Sequence, residues 1–178
     1  MIYKTKGDYE KAIKYLEQSL KISQIIGEQE GEASVLNNIG YIHKVTDKHD
    51  SALRFYEQSL KIRREIGDKD GEGRALNNIG KIYRAKTEYN IALEYLKQSL
   101  KIRQSIGDTY GLAENLNNIG AIFFKQNRAE EAIPLLMQAY QIFKETGSPN
   151  TSYPLEQLGA IILQIGEARF QEIVARMK

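Results

Sequence analysis

The five residues Leu-Asn-Asn-Ile-Gly stand at 36–40, again at 76–80 and again at 116–120. A period of this length constrains the fold more than any local pattern, because every copy must fold alike and bury its apolar face against its neighbours. The rest of the chain keeps the same register. Glu-Gln-Ser-Leu-Lys-Ile at 17–22 returns at 57–62 and, with Lys in front, at 97–102. Ile-Gly followed by an acid recurs at 26–28, 66–68 and 106–108. Ala12, Ala52, Ala92 and Ala132 share one position; Gly40, Gly80 and Gly120 share another, which Gly159 continues one residue early. The copies differ at many other positions, so this is a structural repeat and not low-complexity sequence.

Each unit reads as two helices. Leu76, Ile79 and Tyr83 fall on one face of the first, and Ala92, Leu93, Leu96, Leu100 and Ile102 on a broad face of the second. No segment alternates strictly enough for a strand. The periodicity predicts helices at about 8–26, 31–46, 49–66, 71–86, 89–106, 111–126, 129–146, 152–165 and 167–177. Gly27, Gly67, Gly107 and Gly147 stand where a helix C-terminus wants a left-handed residue. Pro154 suits a helix start. Pro134 lies further in and is expected to loosen a turn. Gly-Glu-Gly at 71–73 follows no strand, so it reads as a turn and not as a phosphate loop.

A helical hairpin cannot bury its faces alone, but stacked copies can. The expected fold is therefore all-α, a right-handed α-solenoid of stacked antiparallel helical hairpins. A propeller of the WD40 kind needs strands and tryptophans, and the chain has no Trp. HEAT repeats stay open on length. The small residues decide between them: Gly40 followed by Ala52 marks two helices meeting where only a small side chain fits. The set Leu76, Ile79, Gly80, Tyr83, Ala92, Leu96, Ser99 and its copy Leu116, Ile119, Gly120, Phe123, Ala132, Leu136, Ala139 resembles the tetratricopeptide repeat. The resemblance runs along essentially the whole chain. The unit is longer than the usual 34 residues or so, and is similar to the long repeats of kinesin light chains and spindle-orientation scaffolds. On this reading residues 1–178 are one array. It has a partial unit at 1–30, full units at 31–70, 71–110 and 111–150, and a C-terminal unit or cap at 151–178.

Asparagine is a poor helix former, so three recurrent pairs need a cause. At 100° per residue, Asn38, Asn78 and Asn118 lie roughly opposite the apolar cluster and face the inner, concave wall. Asn37, Asn77 and Asn117 sit on the flank, nearer the seam between units. Two readings stand open. The amides satisfy backbone groups or one another across units, which suits the first of each pair. Or they hold the backbone of a bound peptide, since a primary amide both donates and accepts, which suits the second. The resemblance implies the latter: such concave grooves bind extended or helical segments of partner proteins.

By the same rotation the wall includes Ser34, Arg74, Glu114 and Tyr153. Tyr41, Lys81 and Ala121 lie deeper, and Lys44, Arg84, Phe124 and Lys125 form the edge. The candidate peptide-binding residues are thus Asn38, Asn78, Asn118, Tyr41, Lys44, Arg74, Lys81, Arg84, Phe124 and Lys125. The first two full units are basic inside and the third is more apolar. A ligand with an acidic part and an apolar part fits that pattern; the alternative is that lysines and arginines only solvate the surface. Some proteins of the family clamp a chaperone's terminal carboxylate with a Lys-x-x-Gly-Asn pattern. Here Asn37 and Asn77 occupy the lysine position, and Tyr41 and Lys81 follow the glycines, so that clamp is not matched.

No catalytic constellation is found, so an enzyme is not expected and no cofactor is implied. His43 falls on the packing face where other units carry Tyr83 and Phe123, which argues against a metal ligand. With 25 Lys plus Arg against 23 Asp plus Glu, the net charge of +2 argues against a nucleic-acid binder. No cysteine, no membrane-length apolar run and no signal-peptide core point to a soluble, cytoplasmic protein. The function expected is a non-catalytic protein- or peptide-binding scaffold; the alternative is a sensor that binds a signalling peptide and controls an attached enzyme. Met1–Lys6 read as the remnant of a first helix. Ile13, Leu16 and Leu20 are then without a partner, and Phe170, Ile173 and Val174 offer apolar surface. A segment of a longer array and a homodimer through the terminal helices both follow from that.

Overall fold

The computed structural model describes residues 6–177, among which there are nine α-helices and no strand. They are α1 (Lys6–Ile26), α2 (Gln29–Val45), α3 (His49–Glu65), α4 (Lys69–Ala85), α5 (Tyr89–Ser105), α6 (Thr109–Lys125), α7 (Ala129–Glu145), α8 (Ser152–Ile165) and α9 (Glu167–Ala175), with a 3-10 turn at Pro149–Thr151. Residues 1–88 and 89–178 form two compact units. In the first, α1 to α4 each pack on the next; in the second, α5 to α9 do. Most of the expected Met1–Lys6 remnant lies outside the described residues.

All seven turns from α1 to α8 close with one bond, an amide reaching back five residues: Glu28 to Ser23, Lys48 to His43, Asp68 to Arg63, Glu88 to Tyr83, Asp108 to Arg103, Arg128 to Phe123 and Ser148 to Phe143. Such a turn needs a left-handed residue just before the donor. Gly27, Gly67, Gly107 and Gly147 fill that place with φ of 70°, 73°, 71° and 64°. The turns inside hairpins use Asp47, Thr87 and Asn127 instead, with φ of 56°, 63° and 60°. Asp and Asn tolerate this region; a β-branched threonine is strained there. Thr87→Gly is therefore expected to stabilise the fold by about 0.5–1 kcal/mol, after subtracting glycine's greater entropy when unfolded. A urea midpoint unchanged or lowered by this substitution would contradict the assignment.

α4 and α6, which contain Gly71 and Gly111, start two residues before the expected bounds, each behind an aspartate cap, and α2 starts equally early without a side-chain cap. Asp68 and Asp108 each accept from the backbone amide three residues on, Gly71 and Gly111, at 2.9 Å. Gly-Glu-Gly at 71–73 is thus buried helix and not a turn. Gly71 is glycine because a Cβ there would run into the Arg63 stem and the Asp68 carboxylate.

Within hairpins the expected small-residue contacts form. A Cβ on Gly40 would lie 2.8 Å from the Tyr56 ring, and one on Gly120 would lie 2.8 Å from Leu136. Gly159 shares their register only by sequence, for a Cβ there meets nothing within 4 Å. In the second unit Ala132, Ile133, Leu136, Leu158, Ile161, Phe170 and Ile173 form one core cluster. Phe170 and Ile173 are therefore core and not apolar surface, and Val174 packs against the same cluster. Ile13, Leu16 and Leu20, expected without a partner, are half-buried on an α1 that packs on α2. Tyr15, Ile22, Ile25 and Ile26 are exposed. α7 runs unbroken through Pro134, which withholds only the bond to the Glu130 carbonyl.

Candidate functional site

The asparagine pairs are joined by amide rungs. Asn78 Nδ2 donates to Asn37 Oδ1 at 3.0 Å, tying a second asparagine to the first asparagine of the preceding hairpin. In the other unit Gln157 Nε2 donates to Asn117 Oδ1 at 2.9 Å. The first rung links residues 41 apart and the second links residues 40 apart. The extra methylene of glutamine makes up the one-residue shift. Asn37 thus has the inter-repeat role expected of it, and Asn78 shares it.

The second asparagines differ in access. Asn118 is 5% exposed, Asn78 is half-buried on its rung, and Asn38 is exposed. Among the described residues the Asn38 side chain makes no hydrogen bond. Ser34, Asn37, Asn38 and Arg74 come together in one cleft of about 150 Å³, lined also by Ser59, Arg63 and Gly71. Tyr41 is half exposed with the Lys44 ammonium 5.7 Å from its ring centroid. Lys81 and Arg84 are half-buried. Neither lines the cleft, and nor do Tyr41 and Lys44. In the second unit Phe124 packs against the core cluster of α7 and α8. Lys125 and Tyr153 are exposed, and Glu114 and Ala121 are half-buried.

Arg63 and Ser59 were not among the residues expected here. Arg63 is only 7% exposed. Its Nη1 donates to Asp68, and its Nη2 donates to Ser34 Oγ at 2.5 Å. Ser59 Oγ donates to the Ala33 carbonyl at 2.7 Å. A signal existed: arginine, then an aspartate five residues on, then a glycine three further, at 63, 68, 71 and again at 103, 108, 111. The second set repeats the chemistry, with Arg103 donating to Asp108 at 2.5 Å. Burial pushes the Asp68 carboxyl up, but the Gly71 amide, the Arg63 guanidinium and the Arg74 charge outweigh it, so it titrates below the usual range.

His43 stacks on Phe55 with centroids 5.3 Å apart. Burial, then Lys48 and Arg54, hold its pKa below 6.5, against an opposing pull from Glu17. A depressed histidine gives full stability above its unfolded pKa and loses it as pH falls toward the folded one. We expect the thermal midpoint to fall as pH drops below about 6.5. His43→Tyr, the residue type of Tyr83, should flatten that slope. An equal slope in both proteins would assign it to other groups. No group of three or more His, Cys, Asp or Glu suited to a metal occurs among the described residues.

The sequence profile of the tetratricopeptide repeat matches residues 1–65, 31–105 and 71–145. The chain is a tetratricopeptide repeat protein. A comparison with curated proteins finds no match. Among solved structures the repeats superpose on a putative kinesin light chain of Podosopora anserina with nearly identical TPR-like repeats. That match has 17% identity and a TM-score of 0.71, over 96% of this chain and 85% of the other. BtubC (BKLC) from P. vanneervenii matches at 24% identity and a TM-score of 0.70, over 79% of this chain. A signal transduction ATPase with numerous domains and a tetratricopeptide repeat sensor, from Pyrococcus horikoshii, matches at 20% identity and a TM-score of 0.76, over 96% of this chain. The chain spans 59% of BtubC and 27% of the archaeal ATPase. These likenesses establish the fold as the all-α solenoid of tetratricopeptide hairpins. No helix among the described residues is long and apolar enough to cross a membrane.

Proposed function

We propose that this tetratricopeptide repeat protein is a non-catalytic scaffold whose concave wall binds a peptide segment of a partner protein in the cytoplasm. The observation that carries this reading is the cleft around Asn38. An exposed amide with both donor and acceptor free stands beside Ser34 and Arg74, in a pocket lined by polar side chains. Asn78 then serves as a support: its amide holds one repeat to the next and positions the wall on which Asn38 is displayed, while Asn118 is buried within the second unit. Tyr41, Lys44, Lys81 and Arg84 extend the contact along α2 and α4; in the second unit Lys125 and Phe124 give α6 a contact of the same kind, with Phe124 as its apolar part.

The test is affinity capture from lysate with the wild-type chain beside Asn38→Arg, which fills the cleft with bulk and charge. Circular dichroism checks that both fold alike. A partner captured by wild type and reduced at least about tenfold by the variant supports the reading. Equal capture moves the contact elsewhere, and sedimentation then asks whether that partner is a second copy joined through exposed Tyr15, Ile22 and Ile25. A second reading, a sensor domain that controls an attached enzyme, draws on the likeness to the tetratricopeptide repeat sensor of the archaeal ATPase. It predicts a change in radius of gyration when the captured peptide binds; a scaffold predicts none.

A further inference from the structure

We propose that the chain associates head to tail: the exposed face of α1 in one copy docks on the exposed face of α8 in the next, completing a helix pair of which each copy displays both halves. This contact is separate from the cleft around Asn38 and uses other surfaces.

The repeat states what belongs on each face. α8 is a first-type helix displaced by one residue, as the rung of Gln157 to Asn117 shows beside that of Asn78 to Asn37. Leu155, Gly159 and Ile162 are then the counterparts of Leu116, Gly120 and Phe123 in α6. In α6 that stripe is covered by α7. Leu136 lies over Gly120, and Leu116 shares a core cluster with Ala139 and Phe143, against which Leu135 and Ile142 pack. In α8 the stripe lies open. Leu155 is 46% exposed where Leu116 is 4% exposed, and a Cβ on Gly159 meets nothing within 4 Å. The reason is length: α9 has nine residues against the seventeen of α7. Its Phe170 and Ile173 reach the cluster that holds Leu158 and Ile161, and they leave Leu155 and Gly159 uncovered.

α1 offers the converse. It is a second-type helix that packs on α2, and among the described residues no first-type helix precedes it. Tyr15, Leu16, Ser19 and Ile22 are the counterparts of Leu135, Leu136, Ala139 and Ile142, the residues of α7 that cover the α6 stripe. Tyr15 is 70% exposed and Ile22 59%. Ser19 is exposed too, and Leu16 is half-buried where Leu136 is fully enclosed. Ser19 and Ile22 match residues of α7 that lie beyond the point where α9 ends.

The two faces are thus the halves of one interface that the chain already makes between α6 and α7, and every copy carries both. That makes a second copy the occupant, through a heterologous contact that joins different surfaces on the two partners. α9 holds the place of the first turns of α7, so only the later turns of α1 seat fully. The contact is part of a hairpin interface, and its strength belongs to the weak, transient class of protein pairs.

Sedimentation equilibrium of the whole chain tests this with two substitutions at exposed positions, Gly159→Arg in the α8 stripe and Ser19→Arg on the α1 face. Circular dichroism checks that both variants fold as wild type does. Wild type should associate as its concentration rises, and each variant alone should associate at least about tenfold more weakly. An equimolar mixture of the two variants should recover a pair and stop there, since each retains the face that the other has lost. Asn38→Arg should associate as wild type does, which separates this contact from the peptide cleft. A wild type that stays monomeric up to about 1 mM overturns the proposal. So does a mixture of the variants that stays monomeric. Undiminished association of Gly159→Arg also overturns it, and would instead pair α1 with α1 about a twofold axis.

Discussion

Gly40→Val is expected to destabilise the first unit by about 3 kcal/mol. The ring of Tyr56 is fully buried, and a Cβ on Gly40 would stand 2.8 Å from it, closer than carbon atoms pack. The ring has nowhere to go, so α2 and α3 must separate and uncover Leu36, Ile39 and Leu60, all buried in these helices. In a chain of this size the loss is worth roughly 10 °C in thermal midpoint. Tyr56→Ala alone opens a cavity and costs about as much. Combined, the two should cost clearly less than their sum, because the cavity of one holds the side chain of the other. Additive losses in urea titrations would show that Gly40 and Tyr56 do not meet.

Arg63→Met should cost about 2 kcal/mol at neutral pH, from leaving Asp68 without its partner. The pH dependence separates this from lost packing. Asp68 titrates below its ordinary value in the fold, so its interactions stabilise at every pH above the unfolded value and are lost as pH falls through the folded one. The gap between wild type and Arg63→Met should therefore narrow on the acid side and stay constant toward alkaline pH. Asp68→Asn in the Arg63→Met background should recover part of the loss, since asparagine caps a helix as well as aspartate and carries no charge. A gap independent of acid pH would mean that Arg63 acts through its hydrocarbon stem alone.

The hairpins, their small-residue contacts and the inter-repeat place of Asn37 could be read from the repeat itself, whereas Asn78 joins the same rung and Asn118 is buried, which the helical rotation alone did not indicate. The glycine turns could be read because glycine marks a left-handed residue; Asp47, Thr87 and Asn127 carry no such mark, and their conformation comes from the closing bond. Arg63 was invisible for a different reason. In Lys-Ile-Arg-Arg-Glu it looks like one more solvated cation beside the half-exposed Arg64. Its burial depends on Gly71 and Asp68, which belong to the next hairpin. The same holds for Phe170, whose short helix is core only because α7 and α8 present a surface to it. Which asparagine meets which could not be read either, since a rung is a property of two copies.

Arg63 belongs to one hairpin, and the Asp68 cap and Gly71 to the helix that opens the next, so the arginine clasp, like each amide rung, draws members from either side of a repeat boundary. Duplication or excision of whole repeats of this kind therefore re-forms the arginine clasp and brings matching amides together at the new junction. Array length can drift by recombination without any compensating substitution, and Gln157 shows that a lost residue of register can be absorbed by a side chain one carbon longer.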